Sequence, residues 1–336
     1  MTSPLRVRLD GAALMANWRW LERRGGGAAC GAAVKADGYG LGAAAVVDRL
    51  SRAGCRDFFV SIRDEAAALG ALPEGCALSV LHGAGADDMA SALASPARPV
   101  INTPAQAALW RQTGRPCDVM IDTGMNRLGL SAADVGAGIL TGLTIATLMS
   151  HLASADEESP QNARQLAAFE AIAADIAAER RSLANSAGIC LGPEYAFDLT
   201  RPGLALYGGI PRAEAAGAIR QVAVPEARIV QRRRVEAGES VGYGATFVAT
   251  RATEVAILNI GYADGYLRGF SGKGSAGGGR YPVLGRVSMD LVAIAVDAEP
   301  LLGEGDWVAL DYALPDAAQA SGLSQYELLT GLGARM

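Results

Sequence analysis

A recurring unit constrains this chain more than any other feature. Over the first two-thirds, a short apolar run, a polar loop and an alanine-rich helical stretch follow one another repeatedly. The apolar runs lie at 32–35, 58–61, 78–81, 99–102, 118–122, 145–149, 183–185 and 204–207. A strand–helix unit takes about 30 residues, the scale of these intervals, so strands alternating with helices and a parallel sheet are predicted. Eight such units predict an α/β fold, an N-terminal (β/α)8 TIM-like barrel over residues 1–225. Helical periodicity is clearest at 103–111 and 162–180, the second through Leu166, Phe169, Ile172 and Ile176. After Pro225 the texture changes to alternating strands at 227–234, 253–260, 281–284, 291–296 and 307–311. Helical patterning returns only at 325–333. Residues 226–336 are therefore predicted to form a C-terminal, mostly-β domain, with 271–279 as a flexible loop.

Composition removes several classes of function. Of 336 residues, 50% are hydrophobic and 19% charged, enough apolar matter for a sizeable core. Lys and Arg number 30 against 35 acids, a net charge of −5, which speaks against a nucleic-acid partner. Arg6 and Arg8 sit in a strand-like run with no apolar stretch behind them, so no signal peptide is expected. The uncharged run at 135–155 holds Gly136, Gly138, Gly142, Ser150 and His151 and is too polar to span a membrane. The cysteines (30, 55, 76, 117 and 190) are scattered without a CxxC pair, which suggests core thiols, no metal site and a reducing, cytoplasmic setting.

The segment richest in chemistry is Val34-Lys35-Ala36-Asp37-Gly38-Tyr39-Gly40. A lysine ends an apolar strand and a glycine-rich turn follows. In a parallel barrel the C-terminal strand ends form the active-site face. Burial there lowers an amine's pKa, and a desolvated lysine is the nucleophile for carbonyl chemistry; a lysine reaching out of the barrel mouth to water is the other reading of this segment alone. Two glycine patterns compete for attention. Gly40-Leu41-Gly42-Ala43-Ala44-Ala45 matches a dinucleotide fingerprint, but no strand with a terminal acid follows about 20 residues on. Gly272-Lys273-Gly274-Ser275-Ala276-Gly277 precedes a strand rather than a helix, so no helix N-terminus awaits a phosphate there.

The Val34–Gly40 segment resembles the signature of the alanine racemase family, enzymes dependent on pyridoxal phosphate (PLP). Matching segments follow in the family's order: Asp122-Thr-Gly-Met-Asn-Arg127-Leu-Gly129, Ser150-His151, Ala184-Asn185-Ser186-Ala187 and Arg201-Pro-Gly203-Leu204-Ala-Leu-Tyr207. Then come Val241-Gly-Tyr243-Gly-Ala-Thr-Phe247, Gly261-Tyr262-Ala-Asp264-Gly265, Gly285-Arg286-Val-Ser-Met289-Asp290 and Tyr326-Glu-Leu. The resemblance implies a racemase that interconverts L- and D-alanine by two bases, supplying D-alanine for peptidoglycan. Lys35 would hold PLP covalently and serve one face of the α-carbon, Tyr243 the other. Tyrosine has an unperturbed pKa of about 10 and needs a nearby cation to act as a base; the resemblance points to His151 and Arg201 for that chain of contacts. It places Arg201 against the pyridine nitrogen, where a group that only donates would keep that nitrogen unprotonated.

By the same resemblance Tyr39, Ser186, the backbone amides of Gly203 and Leu204, and Tyr326 hold the phosphate, and Asn185 contacts the ring. Arg127 and Met289 grip the substrate carboxylate, Asp290 braces the Met289 turn, and Tyr262 lies at the substrate entrance. Tyr243, Tyr262 and Met289 would come from the partner subunit of a homodimer. The chain departs from the family at three places. Met120 stands seven residues before Arg127, where many members carry a carbamylated lysine that braces it. Leu41 replaces a histidine, and Arg335-Met336 ends the chain short of the usual tail, so different terminal contacts are expected. A racemase of another small amino acid such as serine, or a barrel-type PLP decarboxylase, remains the alternative at this point.

Overall fold

The computed structural model describes residues 3–332, and its contacts divide them into two units. One unit spans 14–206 and 210–220. In it, parallel strands Ala32–Ala33, Asp57–Val60, Ala77–Val80, Arg98–Ile101, Cys117–Met120, Ile145–Met149 and Arg180–Ser182 pair in chain order. Leu199–Thr200 closes the ring. On one side the Asp198 amide donates to Arg181 O and the Arg201 amide to Ala184 O, at 3.0 and 2.9 Å. On the other, the amides of Ala29, Gly31 and Ala33 donate to Asp198, Thr200 and Pro202 oxygens, each at 2.9 Å. The predicted (β/α)8 barrel is therefore present.

Three predicted elements differ. The seventh strand is Arg180–Ser182, not 183–185, and the 162–180 helix ends early as Pro160–Ala173. The eighth strand is Leu199–Thr200, whereas Leu204–Tyr207 forms a 3-10 turn. The reason lies inside the barrel. Arg180 makes a two-pronged pair with Asp57, 2.6 and 2.9 Å, between the seventh and second strands. Ser79 donates to Asp118 at 2.5 Å, past the intervening Arg98–Ile101 strand. These bonds must run through the lumen. A strand that points an arginine inward does not read as apolar. One level toward the mouth, Phe59, Val100, Met120, Met149 and Leu199 form an apolar cluster.

The second unit holds the described residues up to 13, residues 207–209, and those from 221 on. Its antiparallel sheet is built on the long strand Ala223–Val235, which pairs with Leu5–Leu9, Trp307–Ala309 and Thr253–Leu258; Val292–Ala295, Tyr281–Leu284 and Ser275–Ala276 continue it. The first strand thus belongs with this unit rather than with the barrel, since its pairing partner begins at Ala223. The 271–279 segment, predicted as a flexible loop, is anchored instead. Asp311 accepts from Ser275 Oγ and from the amides of Gly278 and Gly279, at 2.6, 2.8 and 2.7 Å. Helix Leu314–Ser321, not predicted, precedes Gln325–Gly331; the predicted helix end at 333 and the tail at Arg335-Met336 lie outside the described residues.

Candidate active site

Lys35 follows the first barrel strand, and the chain then winds through a left-handed turn. Ala36, Asp37, Gly38 and Tyr39 have φ of 51, 50, 65 and 58°. For residues other than glycine this costs about 1–2 kcal/mol each, so the surroundings must enforce it. They do: Glu65 accepts from the Ala36 amide at 2.6 Å, and Asp37 accepts from the Ala43 amide at 2.8 Å. The second bond sets the chain's own carboxylate on the first amide of helix Ala43–Ala53, a negative charge that disfavours a phosphate at the dinucleotide-like glycines. The turn aims Lys35 into a partly buried site beside Arg127. Burial first, and then the Arg127 charge, lower its pKa from the ordinary lysine value; Glu65 opposes them.

Tyr39 is returned by the same turn toward the strand-eight loop. A Cβ on Gly203 would lie 2.2 Å from Tyr39 Oη, so only glycine lets the phenol rest there. Ser186 Oγ accepts from the Gly203 amide at 2.9 Å and the Ala205 amide at 3.2 Å. With its lone pairs engaged, this hydroxyl can only donate outward. Tyr39 and Ser186 thus bring two hydroxyl donors into a buried, uncharged cradle suited to a phosphate; the Gly203 amide is spent on Ser186 Oγ, and Leu204 opens the 3-10 turn behind it. Asn185 uses Oδ1 to accept from the Ala187 and Gly188 amides, at 3.0 and 2.9 Å, which leaves its NH2 group to face a ligand.

Arg201 is buried at 7% exposure and donates to Ser182 Oγ through Nη1 and to Ser150 O, at 2.6 Å, through Nη2. Burial pushes its pKa down to about 10 while the charge of Asp118 opposes the fall, so it stays a cation and a donor at neutral pH. His151 keeps some solvent contact as a residue, but its ring is crowded. Desolvation, then the charges of Arg201, Arg127 and Lys35, push it down to about 3. The ring is therefore neutral at pH 7. Sequence reading did not single out Asp37, Glu65, Ser150 and Ser182. Asp37 is inside the lysine motif and Ser150 inside the Ser150-His151 segment, but Glu65 and Ser182 reach the site only through the barrel's pairing.

In the other unit three loops gather. A Cβ on Gly261 would lie 2.2 Å from Met289 O, and the Tyr262 and Ala263 amides donate to Ser288 O and Met289 O, both at 3.0 Å. A Cβ on Gly285 would lie 2.5 Å from Val241 O, which joins the Tyr243 turn to the 285–290 loop. Tyr243 is 68% exposed and Met289 53%. Asp290 lies in the same loop, and Tyr326 stands on helix Gln325–Gly331.

The residues fit PLP on chemical grounds: a partly desolvated amine, a neutral cradle that a single Cβ would fill, and an all-donor arginine. A parallel barrel with this mouth defines a PLP-dependent enzyme of the barrel type. Family models narrow the class, with "Alanine racemase, N-terminal domain" matching residues 9–211 and "Alanine racemase, C-terminal domain" residues 222–336. The chain is 43% identical to alanine racemase of Rhodospirillum rubrum, covering 99% of this chain and 94% of that one. It is 40% identical to the biosynthetic alanine racemase of Agrobacterium fabrum, covering 99% and 93%. The crystal structure of alanine racemase from Bartonella henselae with covalently bound pyridoxal phosphate matches with a TM-score of 0.90 at 33% identity, covering 99% and 98%. The chain belongs to the alanine racemase family.

Proposed function

We propose that this protein interconverts L- and D-alanine with PLP, using Lys35 and Tyr243 on opposite faces of the α-carbon. Bound PLP supplies an electron sink that acidifies the substrate's α-proton. Lys35, lowered by burial and by Arg127, has the amine character needed to take or return that proton. Arg127, exposed above the lysine, receives the substrate carboxylate with its planar fork of donors. Arg201 faces the ring nitrogen and is held from behind by Ser182 and Ser150. Tyr39, Ser186, Leu204 and Tyr326 receive the phosphate, Gly203 leaves the room for it, and His151 and Asn185 line the cofactor.

Tyr243, Tyr262 and Met289, the last braced by Asp290, serve the barrel of a partner subunit in a homodimer. The exposure of Tyr243 and Met289 on one loop cluster supports that reading. The role is cytoplasmic supply of D-alanine for peptidoglycan; among the described residues no helix is long and apolar enough to cross a membrane. The observation that carries the proposal is the pairing of a desolvated Lys35 with a donor cradle across a strained turn. A chiral assay of PLP-loaded protein over a panel of L-amino acids tests it. D-alanine is expected as the dominant product. A loaded protein that converts serine faster than alanine, or neither, overturns the substrate assignment.

A further inference from the structure

Arg127 poses a mechanical problem. Its guanidinium makes no hydrogen bond or ion pair among the described residues. Met120, at the barrel position beneath it in the chain, packs with Phe59, Val100, Met149 and Leu199 and offers no anion. The arginine is therefore positioned by its loop alone. The neck of that loop is closed: the Asp122 amide donates to Leu130 O and the Leu130 amide to Met120 O, each at 2.9 Å. Within it, Asp122 Oδ1 accepts from the amides of Gly124, Met125 and Asn126, at 2.8, 2.9 and 3.1 Å.

The flank is held by two glutamines one turn apart on helix Pro160–Ala173. Gln161 Nε2 donates to Gly124 O at 2.9 Å. Gln165, 1% exposed, bridges two loops at once. Its Nε2 donates to His151 O at 2.9 Å and to Thr123 Oγ1 at 3.3 Å, and its Oε1 accepts from the Ala153 amide at 2.8 Å. Thr123 Oγ1 in turn meets Ser150 Oγ at 2.8 Å, and Ser150 O receives Arg201. A buried amide with donors and acceptor all engaged is costly to disturb, which makes the bridge stiff.

We infer that Gln165 is a positioning residue for the substrate carboxylate: it ties the Arg127 loop to the His151 loop and substitutes, from outside the barrel, for a brace beneath the arginine. The inference rests on the reading that Arg127 binds that carboxylate. The test is Gln165→Met in the PLP-loaded protein, with Gln161→Met beside it. Loss of the bridge is expected to raise KM for alanine about tenfold with kcat within about threefold, and Gln161→Met to raise it about twofold. PLP affinity and the visible absorbance of the loaded protein should not change, and amide hydrogen exchange over 122–130 should quicken. A KM within twofold of wild type, or a loss carried by kcat or PLP binding, overturns the inference. Should Gln165→Met fail to fold, Gln165→Glu, which keeps the acceptor and removes the donors, is read the same way. If the wild-type protein racemises no alanine, the functional reading falls on its own. Exchange over 122–130 still decides the brace, faster upholding it and unchanged refuting it.

Discussion

The two units hold their candidate site residues in opposite ways. In the barrel unit, Tyr39, Ser186 and Arg201 are buried, each locked by a neighbour that cannot be enlarged or removed without a clash or an orphaned polar group. In the β unit, Tyr243 and Met289 stand open to solvent, although the backbone of their loops is tightly joined. The difference teaches where chemistry is tuned. Burial has already shifted Lys35, His151 and Arg201, so the barrel side is prepared before substrate arrives. The β side presents side chains from a rigid frame, ready to be covered.

That contrast is broken or sharpened by four changes. Lys35→Ala is expected to have the largest effect, removing covalent PLP by mass spectrometry and lowering racemisation about ten-thousandfold or more. Tyr243→Phe should leave PLP binding intact and lower racemisation about a hundredfold or more, with α-proton exchange into deuterated water surviving for one enantiomer only. Equal exchange for both enantiomers would dissolve the two-face assignment. Gly203→Ala should weaken PLP about tenfold in a fluorescence titration, because its Cβ would lie 2.2 Å from Tyr39 Oη and the phenol must swing away. The last change acts on stability rather than on activity or cofactor binding. His151 has a folded pKa of about 3, below the ordinary 6.5. The unfolded chain therefore takes up a proton first as pH falls. The contribution is complete above about pH 6.5 and is lost toward pH 3, with a slope of at most about 1.4 kcal/mol per pH unit. Urea unfolding of the PLP-free protein from neutral pH to about pH 4 should show this acid limb, and His151→Gln should flatten it.

Legibility in the sequence followed the same division. Runs such as 58–61, 78–81 and 145–149 announced strands because both faces are buried in apolar surroundings. Arg180–Ser182 did not, because its inward arginine is solvated by Asp57, a partner 123 residues away. The helix at 160–173 was legible, but its buried face was not: Asn162, Gln165, Phe169 and Ala173 are buried, whereas Leu166 and Ile172 are only partly so. A polar residue on a buried helical stripe was the signal that could have marked Gln165.

By itself the sequence determined the alternation of strand and helix, the change to β texture after Pro225, and the ordered motifs from Lys35 to Tyr326 that mark the chemistry. Those are local matters: glycine where the backbone turns left-handed, a lysine at a strand end, an arginine at a loop tip. Only the tertiary structure decided how the barrel closes, which charges share its lumen, and which distant amide steadies Arg127. Such pairings depend on which strands and helices become neighbours in space, and no local pattern encodes a partner a hundred residues away.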